Sequence, residues 1–156
     1  MPDTTLIRGN SILLNLADTP LVLPDPYNSR PYTYKTVEHR FQAMKSLYIV
    51  EELDWIKVHD HIASAPTPRA AKARGRRILI ATSLWDVAAF GYMLEAHIAK
   101  FFQNKDAEDV LLAQLGDLLV EHRPDPIWGD NMDGTGQNLC GKSLTIVRDM
   151  IRKYRG

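Results

Sequence analysis

The sequence predicts a mainly α-helical fold with a few short strands near its N-terminus and in its connections. From Thr36 onward, apolar residues recur at helical spacing. Before Thr36 the chain is rich in turn formers (Pro20, Pro24, Pro26, Asn28 and Pro31) set around short apolar runs. Its 156 residues, 45% hydrophobic and 24% charged, suit one core, so residues 1–156 are read as a single domain.

In chain order, the apolar runs at 12–16 and 21–23 are expected as strands of a small sheet. Thr36 is placed to cap a helix reaching about residue 53, with Val37, Phe41, Met44 and Tyr48 as its apolar stripe. Thr67 and Pro68 have the pattern of an N-cap followed by proline at the first helical position, and the helix they open carries Arg69, Lys72, Arg74, Arg76 and Arg77. Ser83 is the expected cap of the longest apolar helix, 84 to about 102, which is apolar almost all round and so is expected at the centre of the fold. A helix from about 106 carries Glu108 and Asp109 in its first turn and stops at Gly116. A short strand at 118–120 and a long loop at 124–138 follow. The last helix spans about 139–154, with Leu144, Val147, Ile151 and Tyr154 facing inward.

Lys plus Arg and Asp plus Glu both total 19, so the net charge is zero. This excludes nucleic-acid binding held by bulk charge and leaves only local basic patches for phosphate. The single cysteine, Cys140, excludes an intramolecular disulfide and fits a reducing compartment. Residues 1–10 lack a basic start followed by an apolar run, and no apolar stretch is long enough to span a bilayer. The expected location is cytoplasmic, with no membrane partner.

Several constellations carry chemistry. Glu38, Gln42 and Lys45 at i, i+4 and i+7 project from one side of a helix. They either line a pocket, where desolvation makes Lys45 a better nucleophile, or form a side-chain network on a solvated face. Around the loop, Glu121, Asp125, Trp128, Gly129, Asp130, Asp133, Gly134, Gly136, Gln137 and Asn138 combine acids, an aromatic plate and permissive glycines. That set suits a sugar or base ligand, with Trp128 stacking and Asn138 binding hydroxyls or capping the last helix. It equally suits a series of tight turns with Trp128 plugging the core. Arg69, Lys72 and Arg76 at i, i+3 and i+7 either meet phosphates or form a solvated basic face.

Other patterns lead nowhere. Residues 136–143 match the P-loop string literally, yet no buried strand precedes them and 13 residues follow, so no ATPase is inferred. The segment 130–134 lacks the alternating ligands and closing Glu of a calcium loop. His59 and His61 are expected at the surface or in a turn, His39 in a structural role, and Cys140 as a buried small hydrophobe. No metal and no cofactor are expected.

The stretch YKTVEHRFQAMK at 34–45, the basic segment at 70–76, Trp85-Asp86, Met93, KFFQN at 100–104, Gly116-Asp117, Leu119-Val120-Glu121, DPIWG at 125–129 and GQNLCG at 136–141 resemble, in order and spacing, the NADAR (YbiA-like) family. The resemblance implies a compact, mostly orthogonal helical fold. It also implies N-glycosidase chemistry, by which described members release ADP-ribose from guanine or hydrolyse phosphoribosylamino-pyrimidine intermediates of riboflavin synthesis. Both reactions break a bond between ribose C1 and nitrogen. A lysine forming a Schiff base with the opened ribose has been proposed for the family, and Lys45 is its counterpart here.

On this resemblance Glu38 or Asp125 is the carboxylate that stabilises positive charge at C1 or moves a proton. Gln42, Trp85, Trp128, Gly129 and Asn138 place base and sugar, and Lys72 and Arg76 take phosphate. The expected substrate is a small nucleotide or an ADP-ribosylated nucleic acid; a module that binds nucleotide without turnover is the reading from another class. Residues 7–27 depart from the family's usual opening segment, 87–92 lack its usual basic residue, and Asp130 replaces a small or apolar residue. These departures bear on substrate more than on fold.

Overall fold

In the computed structural model, which describes residues 2–9 and 11–156, the chain is mostly helical. Strands β1 (Thr4–Ile7), β2 (Leu21–Pro24) and β3 (Pro31–Tyr34) come first. Helices α1 (Val37–Ala43), α2 (Trp55–Ala63), α3 (Pro68–Arg76), α4 (Thr82–Gln103) and α5 (Lys105–Leu112) follow, then β4 (Leu118–Glu121) and α6 (Leu139–Arg155). β1 pairs in parallel with β4, Thr4 opposite Leu118, and β2 pairs with β3 antiparallel, Leu21 opposite Tyr34.

Helix starts follow the local chemistry. The Thr36 side chain accepts from the His39 amide, and Thr67 accepts from the Ala70 amide with Pro68 at the first position of α3. α4 starts differently from expectation. It begins at Thr82 after Ala81, with no side-chain cap, so Ser83 does not cap it.

α4 is the spine between two apolar clusters. One gathers Tyr34, Val37, Phe41, Met44, Ala71, Trp85 and Met93 beneath α1 and α3. The other gathers Ile7, Leu13, Phe101, Leu111, Leu119, Leu144, Val147 and Ile151 between α4, α5, α6 and β4. α4 is not buried all round: Leu84 is 62% and Val87 is 86% exposed. It instead encloses His97 and Lys100, whose ammonium donates to the Leu14 carbonyl at 2.9 Å.

Four other expectations change. Residues 12–16 form turns, because the Leu14 amide bonds to the Ser11 carbonyl and the Ala17 amide to the Leu14 carbonyl, a local pattern that leaves no ladder. The first helix does not reach residue 53. It tightens into a 3-10 turn at Met44–Tyr48 and becomes extended at Ile49, where a bridge to Ile80 captures the backbone. α5 ends at Leu112, and Gly116 (φ +89) turns the chain into β4. Tyr154 points outward, 77% exposed.

His59 is buried, not at the surface: Tyr34 Oη lies 2.7 Å from its Nε2 and Asp60 Oδ1 lies 2.8 Å from its Nδ1. Asp25 completes a group of possible metal donors there, yet both ring nitrogens already have protein partners. No helix among the described residues is long and apolar enough to cross a membrane.

Candidate active site

α1 and the 3-10 turn that continues it carry Glu38, Gln42 and Lys45 round to one side, as i, i+4 and i+7 spacing requires. All three line a cavity of about 220 Å³. α3 adds Lys72 and Arg76, α4 adds Trp85, and the loop after β4 adds Asp125 and Trp128. All eight of these positions are thus polar or aromatic side chains that the chain brings from four separate segments. The solvated-face reading of Glu38 and Gln42 is corrected: they are 7% and 4% exposed.

The carboxylate and amide are tied together. Gln42 Nε2 donates to Glu38 Oε1 at 2.8 Å, and the Asn15 carbonyl accepts from the Glu38 amide at 3.2 Å. α3 lies so close to this pair that a Cβ at Gly75 would collide with Gln42 Oε1. Glycine there lets Lys72 and Arg76 stand over the cavity.

Lys45 is half-buried, and among the described residues its ammonium has no hydrogen bond or ion pair. Its Nζ sits 5.7 Å from the centre of the Trp85 ring. Its pKa lies below the ordinary lysine value. Burial is the main cause; Glu38 pulls the other way, and Arg76 and Lys72 add to the lowering. The site therefore enriches the neutral amine, the form that attacks carbon.

Aromatic packing sets the wall. Phe41 lies 5.1 Å from both Trp85 and Trp128, ring centre to ring centre. Asp125 holds this wall in place: its Oδ1 accepts from the Ile127 and Trp128 amides, each at 2.9 Å. Its Oδ2 lies 3.9 Å from Arg123 Nη2.

Two expected ligand residues do not line the cavity. Asn138, left-handed at φ 55, spends its side chain on β4, donating to the Leu119 carbonyl and accepting from the Glu121 amide. It stands at the N-cap position of α6, where its carbonyl accepts from the Lys142 amide, but its side chain makes no cap bond and it does not line the cavity. Gly129 is backbone structure: its carbonyl accepts from the Asn138 amide, and a Cβ there would press on Arg123 and the Glu121 carbonyl. Asp130 is likewise internal, accepting from the Arg123 and Met132 amides and pairing with His122 at 2.7 Å.

Two further polar residues line the cavity, Asn15 and Arg123. Arg123 follows β4 and faces Glu121 at 3.6 Å. Glu121 is 1% exposed, has neither oxygen hydrogen-bonded among the described residues, and has its pKa raised by burial against the pull of Arg123. Nothing in the local sequence marks Arg123, because its partner and its cavity both depend on where β4 ends. Asn15 did leave a trace. It is the one polar residue inside the apolar run ILLNL, where a buried amide needs partners.

Those partners are on α4 and α6. Asn15 Oδ1 lies 2.8 Å from His97 Nε2, and His97 Nδ1 lies 2.7 Å from Ser143 Oγ. Since an amide oxygen only accepts, His97 carries its proton on Nε2 and accepts from Ser143. Burial first, and Lys100 second, push the His97 pKa down to about 3. An unfolded histidine titrates near about 6.5. As pH falls from 6.5 to 3 the unfolded chain gains a proton that the folded chain refuses, so stability falls by up to about 1.4 kcal/mol per pH unit. His97→Gln keeps a neutral hydrogen-bonding group without that titration. In urea unfolding at pH 7 and pH 4, the wild type is expected to lose more stability than the variant, by roughly 2–3 kcal/mol. Equal losses would contradict a neutral His97.

Against this geometry stand the comparisons with known proteins. A family model described as the NADAR domain matches residues 9–152. An N-glycosidase of Nostoc punctiforme is 37% identical over 123 residues, covering 76% of this chain and 75% of that protein. N-glycosidase YbiA of Escherichia coli (strain K12) is 34% identical over 121 residues, covering 76% of this chain and 71% of that protein. The chloroplastic riboflavin biosynthesis protein PYRR of Zea mays is 30% identical over 144 residues, covering 88% of this chain and 23% of that longer protein. The NMR structure of E. coli YbiA aligns at a TM-score of 0.77 and 27% identity, covering 98% of this chain and 87% of that one, with the same predominance of helices over short strands.

Proposed function

Because the chain belongs to the NADAR family, whose relatives are named N-glycosidases, we propose that it hydrolyses the bond between ribose C1 and a base nitrogen, releasing ADP-ribose from guanine in a nucleoside or nucleic acid. The observation that carries the reading is the set formed by a half-buried Lys45 that is unpaired among the described residues, a buried Glu38 and the cations Lys72 and Arg76 on one cavity. A glycosyl cation needs a carboxylate, a ribosyl phosphate needs cations, and covalent capture needs an amine.

The steps follow from those positions. Glu38 faces the positive charge that develops at C1 as the base nitrogen departs with the bonding pair and takes a proton. The neutral Lys45 amine bonds to C1 and loses a proton. The C1–O4 bond then breaks, O4 is protonated, and an iminium remains. Water adds to C1, the C1–Nζ bond breaks, and the free sugar and the original amine are restored. Trp85 and Trp128 flank this space, while Lys72 and Arg76 hold phosphate at its mouth.

The plant relative named for riboflavin biosynthesis supports a second reading, hydrolysis of a phosphoribosylamino-pyrimidine by the same steps. Three incubations separate the two: ADP-ribosyl-guanosine, ADP-ribosylated DNA, and the pyrimidine riboside phosphate, followed by release of ADP-ribose or ribose 5-phosphate. Release from the guanine substrates is expected; release only from the pyrimidine selects the second reading. Binding of ADP-ribose with no release from any of the three would replace both by a nucleotide-binding module. The one cysteine, free and buried, is in keeping with a cytoplasmic setting for the proposed activity.

A further inference from the structure

The reaction cavity is too small for the proposed substrate. At about 220 Å³ it falls below the roughly 300–1,000 Å³ of pockets that bury a whole ligand of that size. Its polar and cationic lining suits the ribosyl phosphate half. The departing base needs an adjoining space.

A second cavity of about 350 Å³ shares Trp85, Ile127 and Trp128 with the first. The two together lie within the usual ligand range. Beyond the shared wall, the second cavity presents Phe90, Asp86 and Gln137. The wall is braced: the Gln137 amide donates to the Pro126 carbonyl, Leu139 to Ile127, and Cys140 to Trp128, at 2.9 to 3.1 Å. This ladder ties Gln137 to the segment that carries Trp128. Asp86 and Gln137 are both exposed, and among the described residues neither side chain has a hydrogen bond or ion pair.

We infer that this second cavity is the subsite for the leaving base, and that Asp86 and Gln137 read its edge. This rests on the N-glycosidase reading of the first cavity. An aromatic and apolar slot with a free carboxylate at its rim selects a planar ring with adjacent N–H donors, which guanine presents at N1 and its 2-amino group. Gln137 supplies both a donor and an acceptor, so it can meet the neighbouring carbonyl of the same ring. Asp86, on the second turn of α4, is therefore a specificity residue and takes no part in bond cleavage.

The test is equilibrium binding of guanosine and inosine, which lacks the 2-amino group, by calorimetry on the wild type and on Asp86→Ala. Asp86 is exposed on a helix, so the variant is expected to fold; its far-UV circular dichroism checks this. Guanosine is expected to bind the wild type about tenfold more tightly than inosine, as one hydrogen bond to a charged group requires. In Asp86→Ala the preference is expected to fall below about twofold. Saturating ribose 5-phosphate is expected to leave guanosine binding intact, since the two occupy different cavities. Equal affinities in the wild type, a preference that survives Asp86→Ala, or displacement of guanosine by ribose 5-phosphate overturns the assignment. None of these measurements needs turnover. A protein that cleaves ribosylated guanine without this preference refutes the subsite alone; one that shows the preference but cleaves nothing refutes the activity.

Discussion

Replacing Lys45 with alanine is expected to lower kcat by on the order of a thousandfold or more while leaving the fold intact. In the proposed mechanism Lys45 acts through its amine, which among the described residues makes no hydrogen bond and no ion pair, so its removal breaks neither. The change in unfolding free energy should stay within about 1 kcal/mol. Lys45→Arg separates charge from nucleophilicity: it keeps the cation but supplies no amine able to form a Schiff base. Both variants should therefore be inactive, with unfolding midpoints close to that of the wild type. An active arginine variant would mean that Lys45 acts only as a positive charge.

Glu38→Gln should cost about 10² to 10³ in kcat, because the charge facing the C1 cation is gone. The amide oxygen of the new side chain can still accept from Gln42 Nε2, so the 2.8 Å link within α1 survives. The pH profile gives an independent readout. The negative Glu38 favours the ammonium form of Lys45 and raises its pKa against the effect of burial. Removing that charge lowers the Lys45 pKa further. The rising limb of the rate, where Lys45 loses its proton, should then shift to lower pH. A limb that stays put or moves to higher pH would show that the two side chains are not coupled through charge.

Much of this arrangement is legible in the sequence where the determinants are local. Thr36 caps α1 and Thr67-Pro68 opens α3 because each cap answers to amides within three residues. The same locality puts Glu38, Gln42 and Lys45 on one side before any tertiary contact is known. Lys72 and Arg76 are recognisable as a basic pair, and Trp128 as an aromatic in a long loop, although their meeting at one cavity depends on how α3 packs on α1 and where the loop after β4 runs.

What the sequence conceals is non-local. β1 is a strand because residues 118–121 lie beside it, more than a hundred residues later. The run at 12–16 has strand composition but no partner strand, so it turns and places Asn15 against His97. The helix from Thr36 stops at Tyr48 because Ile49 is captured by Ile80. Asn138 has the composition of a ligand residue, yet two backbone groups of β4 already claim it. His59 and Lys100 are polar by type and buried in fact, since each finds its partner far along the chain: Tyr34 for one, the Leu14 carbonyl for the other.

Borohydride reduction during turnover of ADP-ribosyl-guanosine, followed by peptide mass spectrometry, asks the central question most directly. The expected product is a sugar joined through a stable amine to Lys45 and to no other lysine, absent when either substrate or borohydride is left out. Sustained turnover with an unmodified Lys45, or the adduct on Lys72, would contradict the amine chemistry proposed for this cavity.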